Sequence, residues 1–121
     1  MAVLRIVPDL ACDDPGNIAQ FMAGLLGLKS VMDMGWVHTI ASDAPSATQI
    51  TLASEGGSGT PVPALSIEVD DFEETLARAK ALAAPISYGP VLEPWGVRRF
   101  FVQTPEGHLL NILCHADGGT N

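Results

Sequence analysis

Residues 4–28, LRIVPDLACDDPGNIAQFMAGLLGL, run from an apolar strand through an aspartate–proline helix entry into an apolar helix that stops at a glycine. Asp14 is placed to cap the helix, and Pro15 stands at the first helical position, where its missing N–H costs nothing. Ile18, Phe21, Met22 and Leu25 recur at helical spacing and predict the buried face, with Gly27 as a left-handed stop. Residues 64–82, ALSIEVDDFEETLARAKAL, repeat this order. There Asp71 caps with Glu74 three residues on, and Phe72, Leu76, Ala79 and Ala83 share a face. Glu73 and Glu74 come early and Arg78 and Lys80 late, as the helix dipole favours, and Pro85 ends the run.

Each helix is followed by three strand-like runs. In the first half these are 30–33, 36–42 and 48–53, with a turn at Asp43-Ala44-Pro45-Ser46; in the second they are 86–92, 97–103 and 109–114, with a turn at Pro105-Glu106-Gly107. The order is βαβββ, twice. Module 1 is expected over about 4–54, a glycine- and serine-rich linker over 55–63 and module 2 over about 64–114, within a single domain of α+β class.

Composition bounds the function. With 47% hydrophobic residues in 121, the chain can bury one real core but not two independent ones. Fourteen acidic against six basic residues give a formal charge of −8, which argues against nucleic-acid or anionic-membrane partners and is compatible with a cationic ligand. The apolar run in MAVLRIVPDLACDD is too short for a signal peptide, and no stretch reaches transmembrane length, so the cytoplasm is the expected location. Cys12 and Cys114 lie near opposite ends without CxxC spacing and read as small hydrophobes. There is no GxSxG elbow and no phosphate-cradling glycine loop before a helix.

On these residues, and above all on EPWGVRRFFVQTPEGHLLNIL (93–113) and Asp70-Asp71-Phe72 after an apolar strand, the chain resembles the vicinal oxygen chelate superfamily, also called the glyoxalase/bleomycin-resistance/dioxygenase superfamily. The resemblance implies two βαβββ modules forming an open, incompletely closed barrel around a cleft, and a homodimer. Enzymes of that family hold a divalent metal with His, Gln or Glu. The corresponding positions here are Val7 and Ala64 on the first strands and Thr51 and Asn111 on the last, none of them a strong donor. No metal and no other cofactor is therefore expected.

Strand alternation then sorts the residues. Val7, Asp9, Gln49, Thr51, Ala64, Ser66, Glu68, Leu109, Asn111 and Leu113 face the expected cleft, with Ile6, Pro8 and Leu10 behind it, and Ile50, Leu52, Leu65, Ile67, Val69, Leu110 and Ile112 pack in the core. His38 shares parity with Trp36 and Ile40, so it either lines the cleft or packs in the core, whereas His108 and His115 are expected in solvent. Trp36 and Trp95 are candidates to stack on a planar or cationic guest. Arg98 and Arg99 are adjacent on a strand, so at most one reaches the cleft, and pairing with a nearby acid is expected of each. The expected ligand-binding set is Asp9, Trp36, His38, Gln49, Thr51, Ser66, Glu68, Trp95 and Asn111, with no catalytic residue. The expected activity is metal-free binding or sequestration of a small cationic or aromatic compound such as an antibiotic. The alternative is a metal-dependent lyase, isomerase or dioxygenase using His38 and Glu68. A third reading is a module that serves only dimer or partner contacts.

Overall fold

The computed structural model describes residues 2–43 and 48–116. The elements follow in the order β1 (Val3–Ala11), α1 (Pro15–Leu26), β2 (Lys29–Asp33), β3 (Val37–Ala41), β4 (Gln49–Ala53), β5 (Leu65–Val69), α2 (Phe72–Ala81), β6 (Ile86–Leu92), β7 (Val97–Gln103) and β8 (Leu109–His115). This is βαβββ twice, an α+β fold. Of the turn expected at Asp43-Ala44-Pro45-Ser46, residues 44–46 lie outside the described residues. Contacts divide the chain into two units, residues 7–62 and residues 1–6 with 63–121, so that β1 contributes to both.

In the unit of residues 7–62 the strands run in the order β2-β3-β4-β1. β1 pairs with β4 in parallel, and the other pairs are antiparallel. The Asp14 carboxylate accepts from the Asn17 N–H at 3.2 Å, and Gly27 closes α1 at φ 70° with its N–H on the Ala23 carbonyl. The face that α1 buries is Pro15 and Ala19, flanked by Ile18 and Met22, against Ile40 and Leu52. Phe21 and Leu25, expected inside, are 65% and 66% exposed, and Leu10 on β1, expected behind the cleft face, is exposed as well. The helix is apolar nearly all round, so apolar spacing alone did not single out a stripe, and the 15-18-19-22 set is the one that meets the sheet.

In the other unit the order is β1-β5-β8-β7-β6, with β5 parallel to β8 and the rest of the β8-β7-β6 ladder antiparallel. Asp71 caps α2 by accepting from the Glu74 N–H at 3.0 Å. Phe72, Leu76 and Ala79 pack on Val69, Phe100, Val102 and Ile112, with the Phe72 and Phe100 rings edge to face at 5.5 Å. Arg98 lies over the Phe72 ring and reaches Glu73 at 2.6 Å, covering the margin of this core. Ala83 is beyond the helix rather than on its face, in the left-handed region at φ 54°. Among the described residues no helix is long and apolar enough to cross a membrane.

Candidate functional site

The face of β5, β8 and β7 that turns away from α2 holds the buried polar residues Glu68, Arg99 and Asn111. Register places Ser66 opposite Asn111, Asn111 opposite Phe101, Glu68 opposite Leu113 and Leu113 opposite Arg99, so all of these share one face. Glu68 is only 8% exposed. Its Oε1 accepts from Arg5 Nε at 2.7 Å and its Oε2 lies 2.9 Å from His115 Nδ1, so the carboxylate is paired at both oxygens.

A second buried carboxylate belongs to the same unit. Glu93 Oε2 accepts from Arg99 Nε at 2.7 Å and from the Tyr88 hydroxyl at 2.8 Å. The Arg99 guanidinium lies 4.8–5.2 Å from the ring centres of Phe101, Trp95 and Tyr88. Trp95 thus covers an arginine, in a turn closed by the Gly96 N–H on the Glu93 carbonyl and the Glu93 N–H on the Val97 carbonyl.

Asn111 is 8% exposed and donates from Nδ2 to Ser66 Oγ at 3.1 Å, while its Oδ1 is buried with no protein hydrogen-bond partner. Turning the amide over would only exchange which of its two polar atoms is left unpaired.

At the end of β5 a groove of about 340 Å³ is lined by Leu4, Glu68, Phe72, Arg98, Cys114 and His115, among others. Burial raises the Cys114 thiol above its ordinary pKa, against a smaller lowering by Arg98, so the thiol is a poor nucleophile at neutral pH.

The remaining candidates belong to the unit of residues 7–62. Asp9 lies opposite Thr51, and Thr51 opposite Thr39, with the two threonine hydroxyls 2.9 Å apart; Gln49 shares this face two residues along. His38 does not. It stands opposite Leu52, on the face that carries Ile40 and packs against α1, with Nε2 2.7 Å from Ser30 Oγ. Trp36 is half-buried just before β3, and its carbonyl accepts from the Ser54 N–H. The expected set therefore divides: Asp9, Gln49 and Thr51 share one face of this unit with His38 on the opposite one, and Ser66, Glu68, Asn111 and Trp95 belong to the other unit.

Sequence reasoning missed Arg5, Glu93 and His115. The last was expected in solvent, yet its side chain is 10% exposed and bonded to Glu68. The alternation Leu109, Asn111, Leu113 continued by one step would have placed it there. Among the described residues no three His, Cys, Asp or Glu side chains gather as metal ligands.

The chain matches the glyoxalase/bleomycin resistance protein/dioxygenase superfamily over residues 3–112 and belongs to it. No curated protein matches the chain. Its fold is similar to that of a superfamily member from Vibrio splendidus (21% identity, covering 93% of this chain and 97% of that one, TM-score 0.63). It is similar also to a structure named as NAD-dependent benzaldehyde dehydrogenase from Legionella pneumophila (15% identity, 92% and 99% covered, TM-score 0.76). A third similar structure is Streptomyces coelicolor methylmalonyl-CoA epimerase in complex with 2-nitronate-propionyl-CoA (16% identity, 99% and 100% covered, TM-score 0.68). At these identities the likeness is one of fold.

Removing the guanidinium from a buried carboxylate is costly, whereas removing both charges is not. Because Arg5 is partly exposed and His115 still holds Glu68, Arg5→Ala is expected to destabilise the protein by about 1–2 kcal/mol in urea unfolding, and Glu68→Leu added to it to restore most of the loss. A double variant whose loss equals the sum of the Arg5→Ala and Glu68→Leu losses measured singly would show that the pair is not coupled.

Proposed function

We propose that the protein binds a small organic molecule on the polar face of β5, β8 and β7, without the divalent cation used by enzymes of its family. The observation that carries this reading is Asn111, a buried amide with one polar atom unpaired among groups that are otherwise bonded. A buried acceptor without a donor costs stability, about 1–3 kcal/mol, and a ligand N–H or O–H would recover it. The four positions where metal donors would stand do not fit a cation. Val7 and Ala64 have no donor atom, the Thr51 hydroxyl is bonded to Thr39, and the Asn111 amide is a weak neutral ligand. His38 and Glu68, the donors of the metal-enzyme alternative, are each engaged inside their own unit, by Ser30 and by Arg5 with His115.

Of the expected cationic or aromatic guest, the aromatic character has the better support. Both carboxylates on this face are matched by arginines, which removes the net charge that would select a cation, while the half-buried rings of Tyr88 and Trp95 supply flat surface. Sequestration of such a compound, as in antibiotic resistance, is the role to which this leads.

The working form is proposed to be a homodimer. Phe21, Leu25 and Leu26 on α1 and Val31 on β2 are 56–66% exposed, apolar side chains that a partner copy would cover.

Metal analysis after incubation with manganese, iron, cobalt, nickel or zinc and desalting should find only traces; near-stoichiometric metal would overturn the metal-free reading. Asn111→Leu should leave the melting temperature unchanged or raised, yet abolish the thermal shift given by any aromatic hit from a compound screen. A variant that melts lower and keeps the shift would make Asn111 a structural residue. Light scattering should give twice the chain mass, and Phe21→Glu with Leu25→Lys should halve it; a wild-type monomer rejects the dimer.

A further inference from the structure

β2 holds two polar side chains where strand alternation would not put them together. Ser30 and Asp33 are three residues apart, so a regular strand would send them to opposite faces. The pairing of β2 with β3 slips between Ser30 and Met32: Ser30 lies opposite Ile40, but Asp33 lies opposite His38. Val31 is the extra residue of this bulge, and it brings Ser30 and Asp33 onto the one face that carries His38. Bulges of this kind re-aim side chains and recur beside active sites.

The three residues form a chain of contacts. Ser30 Oγ is 2.7 Å from His38 Nε2, and Asp33 Oδ2 is 3.8 Å from His38 Nδ1. Asp33 is oriented in turn, since its Oδ1 accepts from the Gly35 N–H at 2.9 Å where the chain turns at φ 84°. His38 Nδ1 is buried with no hydrogen-bond partner, the Asp33 carboxylate lying just beyond that distance. A carboxylate on that side favours the tautomer with the proton on Nδ1, which leaves the Nε2 lone pair facing the serine hydroxyl. Ser30 itself is exposed, on a strand that ends its sheet order.

We propose that Ser30, His38 and Asp33 form a nucleophilic site that accepts acyl groups from small activated esters. This proposal is independent of ligand binding in the other unit. Ser30 Oγ attacks the carbonyl carbon while its proton passes to His38 Nε2. The C–O bond to the leaving alcohol then breaks, and that oxygen takes the proton from Nε2. A water molecule repeats the sequence, its proton going to Nε2 and back to Ser30 Oγ as the acid is released. Asp33 is a positioning residue that holds the imidazole tautomer and its charge as the proton moves.

The test is to treat the full chain with a biotinylated fluorophosphonate, digest it and locate the adduct by mass spectrometry, with p-nitrophenyl acetate as the turnover probe. The expected result is an adduct on Ser30, absent in Ser30→Ala, and a burst of p-nitrophenolate stoichiometric with the chain. His38→Gln should slow labelling about 100-fold, the usual contribution of a general base. Because His38 is half-buried, circular dichroism and melting are followed in parallel. Asp33→Asn, which alters an exposed carboxylate, should slow labelling several-fold at unchanged melting temperature. A natively folded wild type with no adduct on Ser30, or labelling at the wild-type rate in folded His38→Gln, would overturn the proposal.

Discussion

Alternation along β5 is the constraint on which the unit built around α2 depends. Burying Ile67 and Val69 under Phe72 and Leu76 obliges Ser66 and Glu68 to face the other way, and pairing with β8 and β7 extends the division to Asn111, Leu113, Phe101 and Arg99. A slip of one residue would drive Glu68 and Arg99 into the apolar core and expel Phe100, which is fully buried. The register is therefore strongly specified. Its consequence is a sheet with one face apolar except for Arg98 at its margin and the other obliged to satisfy two buried carboxylates.

Those carboxylates are satisfied in different ways. Glu93 and Arg99 are both almost fully buried, with side chains 3% and 4% exposed, and the Tyr88 hydroxyl and three aromatic rings complete the arrangement. Glu68 is less deeply placed, and Arg5 is 43% exposed and leaves the pair in reach of water. Ion pairs of this kind add little net stability, because desolvation offsets most of the attraction; what they add is a unique arrangement. Against that background the unpaired atom of Asn111 is an exception, and a buried exception is where a ligand's donor would gain most.

Much of this was legible before the structure. Both helix caps, the βαβββ order and the parity of Ser66, Glu68, Asn111, Asp9 and Thr51 follow from local spacing, since period 2 and period 3.6 are properties of neighbouring residues. What was not legible has a common physical origin in pairing across long sequence separation. Arg5 reaches Glu68 over 63 positions, and nothing in its own strand announces that partner. His115 escaped because the last strand was ended at Cys114, one residue early. The exposed face of α1 escaped because a helix apolar on nearly every side offers no contrast from which a face could be chosen.

The bulge at Val31 is the converse case, in which alternation misleads. Counting along β2 separates Ser30 from Asp33, and only an extra residue in the ladder unites them around His38. A bulge breaks ladder hydrogen bonds and leaves a residue unpaired, so it persists where surrounding contacts hold it in place. Here the cross-strand bond of Ser30 to His38 and the turn bond from Gly35 to Asp33 lie on either side of it and tie down both ends. The irregularity and the polar cluster thus support one another. An exposed edge strand with regular alternation would have placed no more than one of the two β2 side chains beside the imidazole.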